Sequence, residues 1–364
     1  MKNKFLIILL GIIFLLVGGC ATSKKPITPN KTKTNIMNTS NKKTIPKTKK
    51  LHVTGFAMND TGKLDPLKSL EKYGKNINEI SPLWYTVMKD GSVRDKTDRK
   101  ILDYAKKNKI DIVALVNVAK SNDTVLTNKS IRDKAIIEIV KIIDKYNLDG
   151  VNIDFEFIPE GKESFVHDKD LMTEFISILG KKIRPKGKKI DICVIPQLDV
   201  PKEISGIYDY KKLAPLVDHV TLMLYDKHQE GSTPGPVAPQ KWVEDNVKEA
   251  LKAFRPNQIC MGVATYGYDW PAAKTGGFSS PTKDILDKAN QVGVKVKWSD
   301  KYHEPYYIYR DPDSGRDREV WFENNHTLKD KIRIAKKYNL FGICIWRLGF
   351  ETPSFWDEVS KDIR

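Results

Sequence analysis

From residue 51 onward the chain alternates short apolar runs with stretches of helical periodicity. The runs at Leu51–Ala57, Ile80–Thr86, Asp111–Asn117, Gly150–Glu156, Ile190–Pro196, Val217–Tyr225, Gln258–Tyr266 and Leu340–Trp346 have the length and composition of strands. Between them, Arg99–Lys107, Ile131–Tyr146, Asp170–Ile183 and Trp242–Phe254 carry apolar residues three and four apart, the spacing of amphipathic helices. Eight strands with intervening helices predict an α/β fold, a single (β/α)8 TIM barrel over residues 51–364. The stretch from Tyr266 to Leu340 is too long for one helix. It contains Lys295-Val-Lys-Trp298, Tyr306-Tyr-Ile-Tyr309 and Glu319-Val-Trp-Phe322, all strand-like. A small α+β insertion between strands 7 and 8, about residues 268–325, is therefore predicted, with a helix near Thr327–Tyr338. No internal repeat interrupts the pattern.

The first fifty residues follow a different pattern. Lys2 and Lys4 precede an almost unbroken apolar run from Phe5 to Val17, then Gly18, Gly19 and Cys20. The run is short for a permanent span and reads as a secretory signal, residues 1–20. Its Val-Gly-Gly-Cys ending resembles a bacterial lipobox, which implies lipidation of Cys20; an uncleaved membrane anchor is the alternative. Both place the rest of the chain outside the cytoplasm, anchored to the cell membrane and facing the wall. Residues 21–50, rich in Lys, Thr, Asn and Pro, lack the apolar surface to offset ordering entropy and are expected to be a disordered linker. Thirty such residues span roughly 30 Å.

The formal net charge of +16 suggests a nucleic-acid partner until it is divided along the chain. Residues 1–50 hold eleven Lys and no acid, which leaves 51 Lys+Arg against 46 Asp+Glu, or +5, for the remainder. With no basic cluster interleaved with aromatics, no nucleic-acid partner is expected. Cys193, Cys260 and Cys344 each lie in an apolar run and are expected to be small buried hydrophobes, not a disulfide framework. Six scattered His, never at ligand spacing, predict neither a metal site nor a cofactor that needs one.

The segment Asp149-Gly-Val-Asn-Ile-Asp-Phe-Glu156 carries the chemistry. Strand side chains alternate faces, so Asn152, Asp154 and Glu156 share one face and Val151, Ile153 and Phe155 the other. In a parallel barrel the apolar set packs on the helices and the polar set enters the lumen. Glu156 then falls at the C-terminal end of strand 4, the face where barrel enzymes carry their sites. A charged Asp154 beside Glu156 raises the pKa of the latter and keeps it protonated near neutral pH, as a proton donor to a glycosidic oxygen must be. The pair alone leaves covalent retention, inversion and substrate assistance open.

Asp149-x-x-Asn152-x-Asp154-x-Glu156 resembles the Asp-x-x-Asp-x-Asp-x-Glu signature of glycoside hydrolase family 18. Met223-Leu-Tyr225-Asp226 is similar to that family's strand-6 motif, and Gly342-Ile-Cys-Ile-Trp346 to the strand-8 segment ending in the tryptophan beneath the reacting sugar. The predicted insertion stands where the family carries one. The resemblance covers essentially residues 51–364. It implies substrate-assisted retaining hydrolysis with Glu156, Asp154 and Tyr225 as catalytic residues. Glu156 is the acid and then the base, Asp154 orients the acetamide nitrogen, and Tyr225 donates to the acetamide oxygen. Asp149, Asn152, Met223, Asp226, Trp346, Trp84 and Tyr266 are the implied substrate-binding residues. Asn152 departs from the signature, which has Asp there. The substitution predicts an Asp154 that ionises more readily and an activity optimum displaced toward acid.

Ile80-Ser-Pro-Leu-Trp-Tyr85 and Gly267-Tyr-Asp-Trp270 resemble the spore-germination, cortex-lytic branch, whose members act on N-acetylglucosamine in peptidoglycan. The expected partner is accordingly an N-acetylglucosamine-containing glycan, peptidoglycan or chitin-like, and the chain is expected to be a monomer. A chitinase and a non-catalytic glycan-binding protein on the same fold are the alternatives. The presence of Glu156 weighs against the last.

Overall fold

A computed structural model of the chain describes residues 50–119, 123–157 and 165–363. Cys20, the signal segment and the linker lie outside them. Its strands in chain order are β1 (His52–Ala57), β2 (Glu79–Val87), β3 (Val93–Asp95), β4 (Asp111–Val118), β5 (Gly150–Asp154), β6 (Lys189–Val194) and β7 (Val220–Leu222), then β8 (Ile259–Ala264), β9 (Tyr266–Pro271), β10 (Phe278–Pro281), β11 (Lys297–Ser299), β12 (Glu304–Arg310), β13 (Asp317–Phe322) and β14 (Gly342–Trp346). Eight of them form a parallel ring in the order β1-β14-β8-β7-β6-β5-β4-β2, closed by pairing of β1 with β2. This is the predicted barrel, and every predicted strand of the ring is present within a few residues. Glu156 falls just past the end of β5.

Alternation sorts the side chains as the sequence indicates. Val151, Ile153 and Phe155 are fully buried in the layer between barrel and helices, where Phe155 meets Phe175 at 5.0 Å. Each such side chain contributes roughly 1.5–3 kcal/mol by leaving water. Inside the ring, Phe56, Leu115, Cys193, Met223, Cys260 and Cys344 form a separate layer. Two of these correct the cysteine expectation: Cys260 and Cys344 are joined in a disulfide with Cα atoms 5.9 Å apart. Widely separated in sequence, they sit on β8 and β14, which are neighbours only once the ring closes. Cys193 remains a buried free thiol.

The helices start where polar caps permit. Asp98 accepts from the amides of Lys100 and Ile101, and Asn128 from those of Ser130 and Ile131. These satisfy donors that a helix N-terminus leaves unpaired.

The lower, N-terminal mouth of the ring is plugged by charge. Lys189 Nζ lies 3.1 Å from Glu79 and 2.9 Å from Asp111, and Phe341 is stacked between His52 and His219. Asp149 belongs to this end: its carboxylate accepts from the Ile112 amide at 2.8 Å. It braces β4 against β5 and does not line the hollow that holds Asp154 and Glu156, which corrects its expected placement.

The insertion is an antiparallel sheet in the order β10-β9-β13-β12-β11, with the helix Thr282–Gln291 on one face. A single residue, Thr265, separates it from β8. The helix Asn325–Lys337 then leads back to β14.

Candidate active site

The upper mouth holds a cavity of about 700 Å³. Asp154, Glu156, Met223, Tyr225, Asp226 and Trp346 all line it. These come from the ends of three strands that lie far apart in sequence, which the ring brings around one hollow. Tyr208, buried, donates its hydroxyl to the Phe155 carbonyl at 3.0 Å and so fixes the backbone between the two acids.

Burial dominates the electrostatics. The Glu156 carboxyl is pushed up to about 8, first by burial and then by the charges of Asp154 and Asp226. Asp154, the cause expected from the sequence, comes second. Removal from water is the larger cause, because a carboxylate loses hydration that a low-dielectric wall does not replace. Asp154 is itself pushed up to about 6 by burial, against a bond from the Cys193 thiol. Between those values Glu156 holds its proton while Asp154 is charged, which is the division of labour a proton donor and a charged stabiliser require. One oxygen of Asp154, Oδ1, is buried with no hydrogen-bond partner among the described residues. A buried acceptor left unpaired is costly, and a donor entering the cavity would relieve it.

Around Asp226, the hydroxyls of Tyr266 and Tyr268 both donate to its Oδ1, at 2.5 and 2.8 Å. Burial raises its pKa and these two bonds oppose the rise. Trp346 meets Phe56 edge-on, ring centroids 5.4 Å apart, and presents an indole to the hollow.

Three further assignments are corrected. Trp84 is 1 % exposed and packs in the outer layer. A bulge in β2 between Leu83 and Tyr85 breaks the alternation there and turns Trp84 away from the lumen. Tyr266 stands behind Asp226 and does not line the cavity; it positions a side chain that does. Asn152 lies below the cavity, its Nδ2 donating to Ser81 Oγ at 3.4 Å and its Oδ1 accepting from the Cys193 thiol at 3.5 Å. It does not touch the hollow.

Other lining residues were not singled out from sequence: Tyr268, Trp242, Glu230 and Lys227, the last paired with Asp199 at 2.6 Å. Tyr268 had a signal, since it follows Tyr266 by two on the same strand. The rest sit on loops or helices whose path no periodicity gives.

A sequence model described as "Glycosyl hydrolases family 18" matches residues 34–351. The chain belongs to glycoside hydrolase family 18. It is similar to the "Uncharacterized glycosylase YvbX" of Bacillus subtilis (strain 168), 28% identical over 323 residues, covering 84% of this chain and 90% of that one. It is also similar to the "Cortical fragment-lytic enzyme" of Bacillus anthracis, 25% identical over 332 residues, covering 86% of this chain and 75% of that protein. Among solved structures, the spore cortex-lytic enzyme SleL of Bacillus megaterium QM B1551 shares the fold, with a TM-score of 0.77 at 22% identity over 88% of this chain and 75% of that one. As a family 18 member the protein is a glycosidase, and Glu156 ends its matching signature.

Proposed function

We propose that the protein cleaves β-linked N-acetylglucosamine in peptidoglycan, spore cortex included, by substrate-assisted retaining catalysis. The observation that carries the reading is that Glu156 and Asp154 line one hollow, where burial pushes both carboxyls up, Glu156 the further, and the buried Oδ1 of Asp154 has no partner among the described residues. An acetamide N–H is the donor that oxygen lacks. Glu156 gives its proton to the leaving oxygen while the acetamide oxygen of the same sugar attacks the anomeric carbon. Asp154 accepts from the acetamide nitrogen and balances its developing positive charge, and Tyr225 donates to the acetamide oxygen. Glu156, now charged, takes a proton from water, which opens the oxazolinium ring. Trp346 offers its face to the C–H side of the pyranose.

Residues 1–20 would direct export, and a lipidated Cys20, as the new N-terminus, would hold the domain on the outer side of the membrane with residues 21–50 as its tether. A disulfide between Cys260 and Cys344 supports export, because such bonds persist in oxidising compartments. Two similar "Cortical fragment-lytic" enzymes, from Bacillus anthracis and Bacillus subtilis, support a wall glycan as substrate. The test is mass analysis of fragments released from purified cortex and sacculi, beside chitin oligomers. Fragments with a new reducing N-acetylglucosamine end are expected. Cleavage of the oligomers with both wall preparations untouched would favour a chitinase.

A further inference from the structure

The floor residue Trp346 is the last residue of β14, and its final ladder partner is Ala264 of β8. What holds the chain beyond that pair is Thr265, 1 % exposed and the single residue between barrel strand β8 and insertion strand β9. Its amide donates to the Trp346 carbonyl at 3.0 Å. Its hydroxyl accepts from the Arg347 amide at 2.8 Å and donates to the Arg347 carbonyl at 3.0 Å. Its own carbonyl accepts from the Thr282 amide, at the start of the insertion's helix, at 3.1 Å. On the opposite side the Leu348 amide donates to the Phe56 carbonyl at 2.9 Å, and the Arg347 guanidinium pairs with Asp60 and lies 3.8 Å over the Phe350 ring.

A hydroxyl is one of few groups that can serve an N–H and a C=O with a single atom. Valine has the same shape and can serve neither, so it would leave the Arg347 amide unpaired beside a buried side chain, and the Arg347 carbonyl with only its 3.3 Å bond from the Phe350 amide. Serine keeps both bonds.

We propose that Thr265 is a positioning residue for the glycosidase reaction. Its hydroxyl fixes the backbone on which Trp346 is carried, and so the height and tilt of the indole beneath the reacting sugar. Because the same residue is bonded to Thr282, correct seating of the insertion becomes part of the catalytic geometry. The inference rests on the reading of Trp346 as the sugar floor. Displacing a reacting group by 1 Å costs on the order of a hundredfold in rate, so a loosened floor should cost about tenfold.

The test measures kcat and KM on a fluorescently labelled β-1,4-linked N-acetylglucosamine tetramer. Thr265→Val is expected to lower kcat about tenfold with KM changed less, and Thr265→Ser to stay within about twofold of wild type. The double variant Thr265→Val/Trp346→Ala should be no slower than Trp346→Ala alone, because both act through one ring. A Thr265→Val enzyme at wild-type kcat, with Trp346→Ala slow, would overturn the role of Thr265 alone; losses that multiply would do the same. A Trp346→Ala enzyme at wild-type rate would overturn the floor reading and this inference with it. Should Thr265→Val not fold, Thr265→Cys replaces it: a rate at least about threefold below Thr265→Ser is expected, and equal rates overturn the proposal.

Discussion

Replacing Asp154 by Asn tests the electrostatic coupling at the centre of the site. Glu156 stands at about 8 instead of 4.5, with Asp154 the second cause after burial. Two residues apart on one strand face puts the carboxyls roughly 6.6 Å from each other. Two unit charges at that distance repel by roughly 2.5 kcal/mol at an effective dielectric constant of 20. That is an upper bound: with burial the larger cause, Asp154 accounts for less than half of the rise, on the order of one pKa unit. In the pH range where Glu156 titrates, Asp154 is already ionised, since its own value is about 6. Asp154→Asn removes the repulsion, so Glu156 should release its proton earlier, at roughly pH 7 instead of about 8. The assay is the pH dependence of kcat/KM on a labelled N-acetylglucosamine oligomer, whose unactivated leaving group needs the acid. Activity of the variant will be low, because acetamide orientation is lost too, but the alkaline limb of its profile should move toward acid by about one unit. Superimposed limbs, or a move toward alkali, would refute the coupling.

Three further outcomes follow from the same features. Glu156→Gln should be more stable than wild type, by an amount that grows from pH 4.5 to about 8 and is level beyond. A carboxyl raised in the fold loses its stabilising share as pH climbs through the folded value, and the gap should reach roughly 2–4 kcal/mol after solvent screening; melting curves at pH 5, 7 and 9 that differ equally would contradict this. Reducing the Cys260–Cys344 bridge, which closes a loop of 84 residues, should lower unfolding free energy by roughly 4.5 kcal/mol in the chain-entropy model, seen as a shifted denaturant midpoint. Cys20→Ala should move the protein from the membrane fraction to the soluble one, and a variant that stays with the membrane would speak for an uncleaved anchor.

Periodicity made the ring legible because each β/α unit carries its own pattern, and each pattern is local. The same alternation put Asp154 and Glu156 in the lumen with Met223, Tyr225 and Trp346 at the cavity. It failed where geometry depends on closure or on a broken period. The bulge in β2 turned Trp84 outward, and nothing local marks a bulge. The Cys260–Cys344 pair needs the register of β8 against β14. Asp149 belongs to a matching signature, yet five residues of strand separate it from Asp154, roughly 16 Å, so it reaches the opposite mouth. Asn152 in place of the signature's Asp bears on how readily Asp154 ionises, while the first cause that pushes that carboxyl up to about 6 is burial.

The most direct measurement compares wild type with Glu156→Gln on one labelled oligomer, following product release and equilibrium binding together. A neutral amide keeps the shape and hydrogen bonding of the protonated acid but has no proton to give. Release should fall by on the order of a thousandfold while affinity stays within a few-fold. Equal release by both proteins would mean that the proton comes from elsewhere, and the assignment of Glu156 would be wrong.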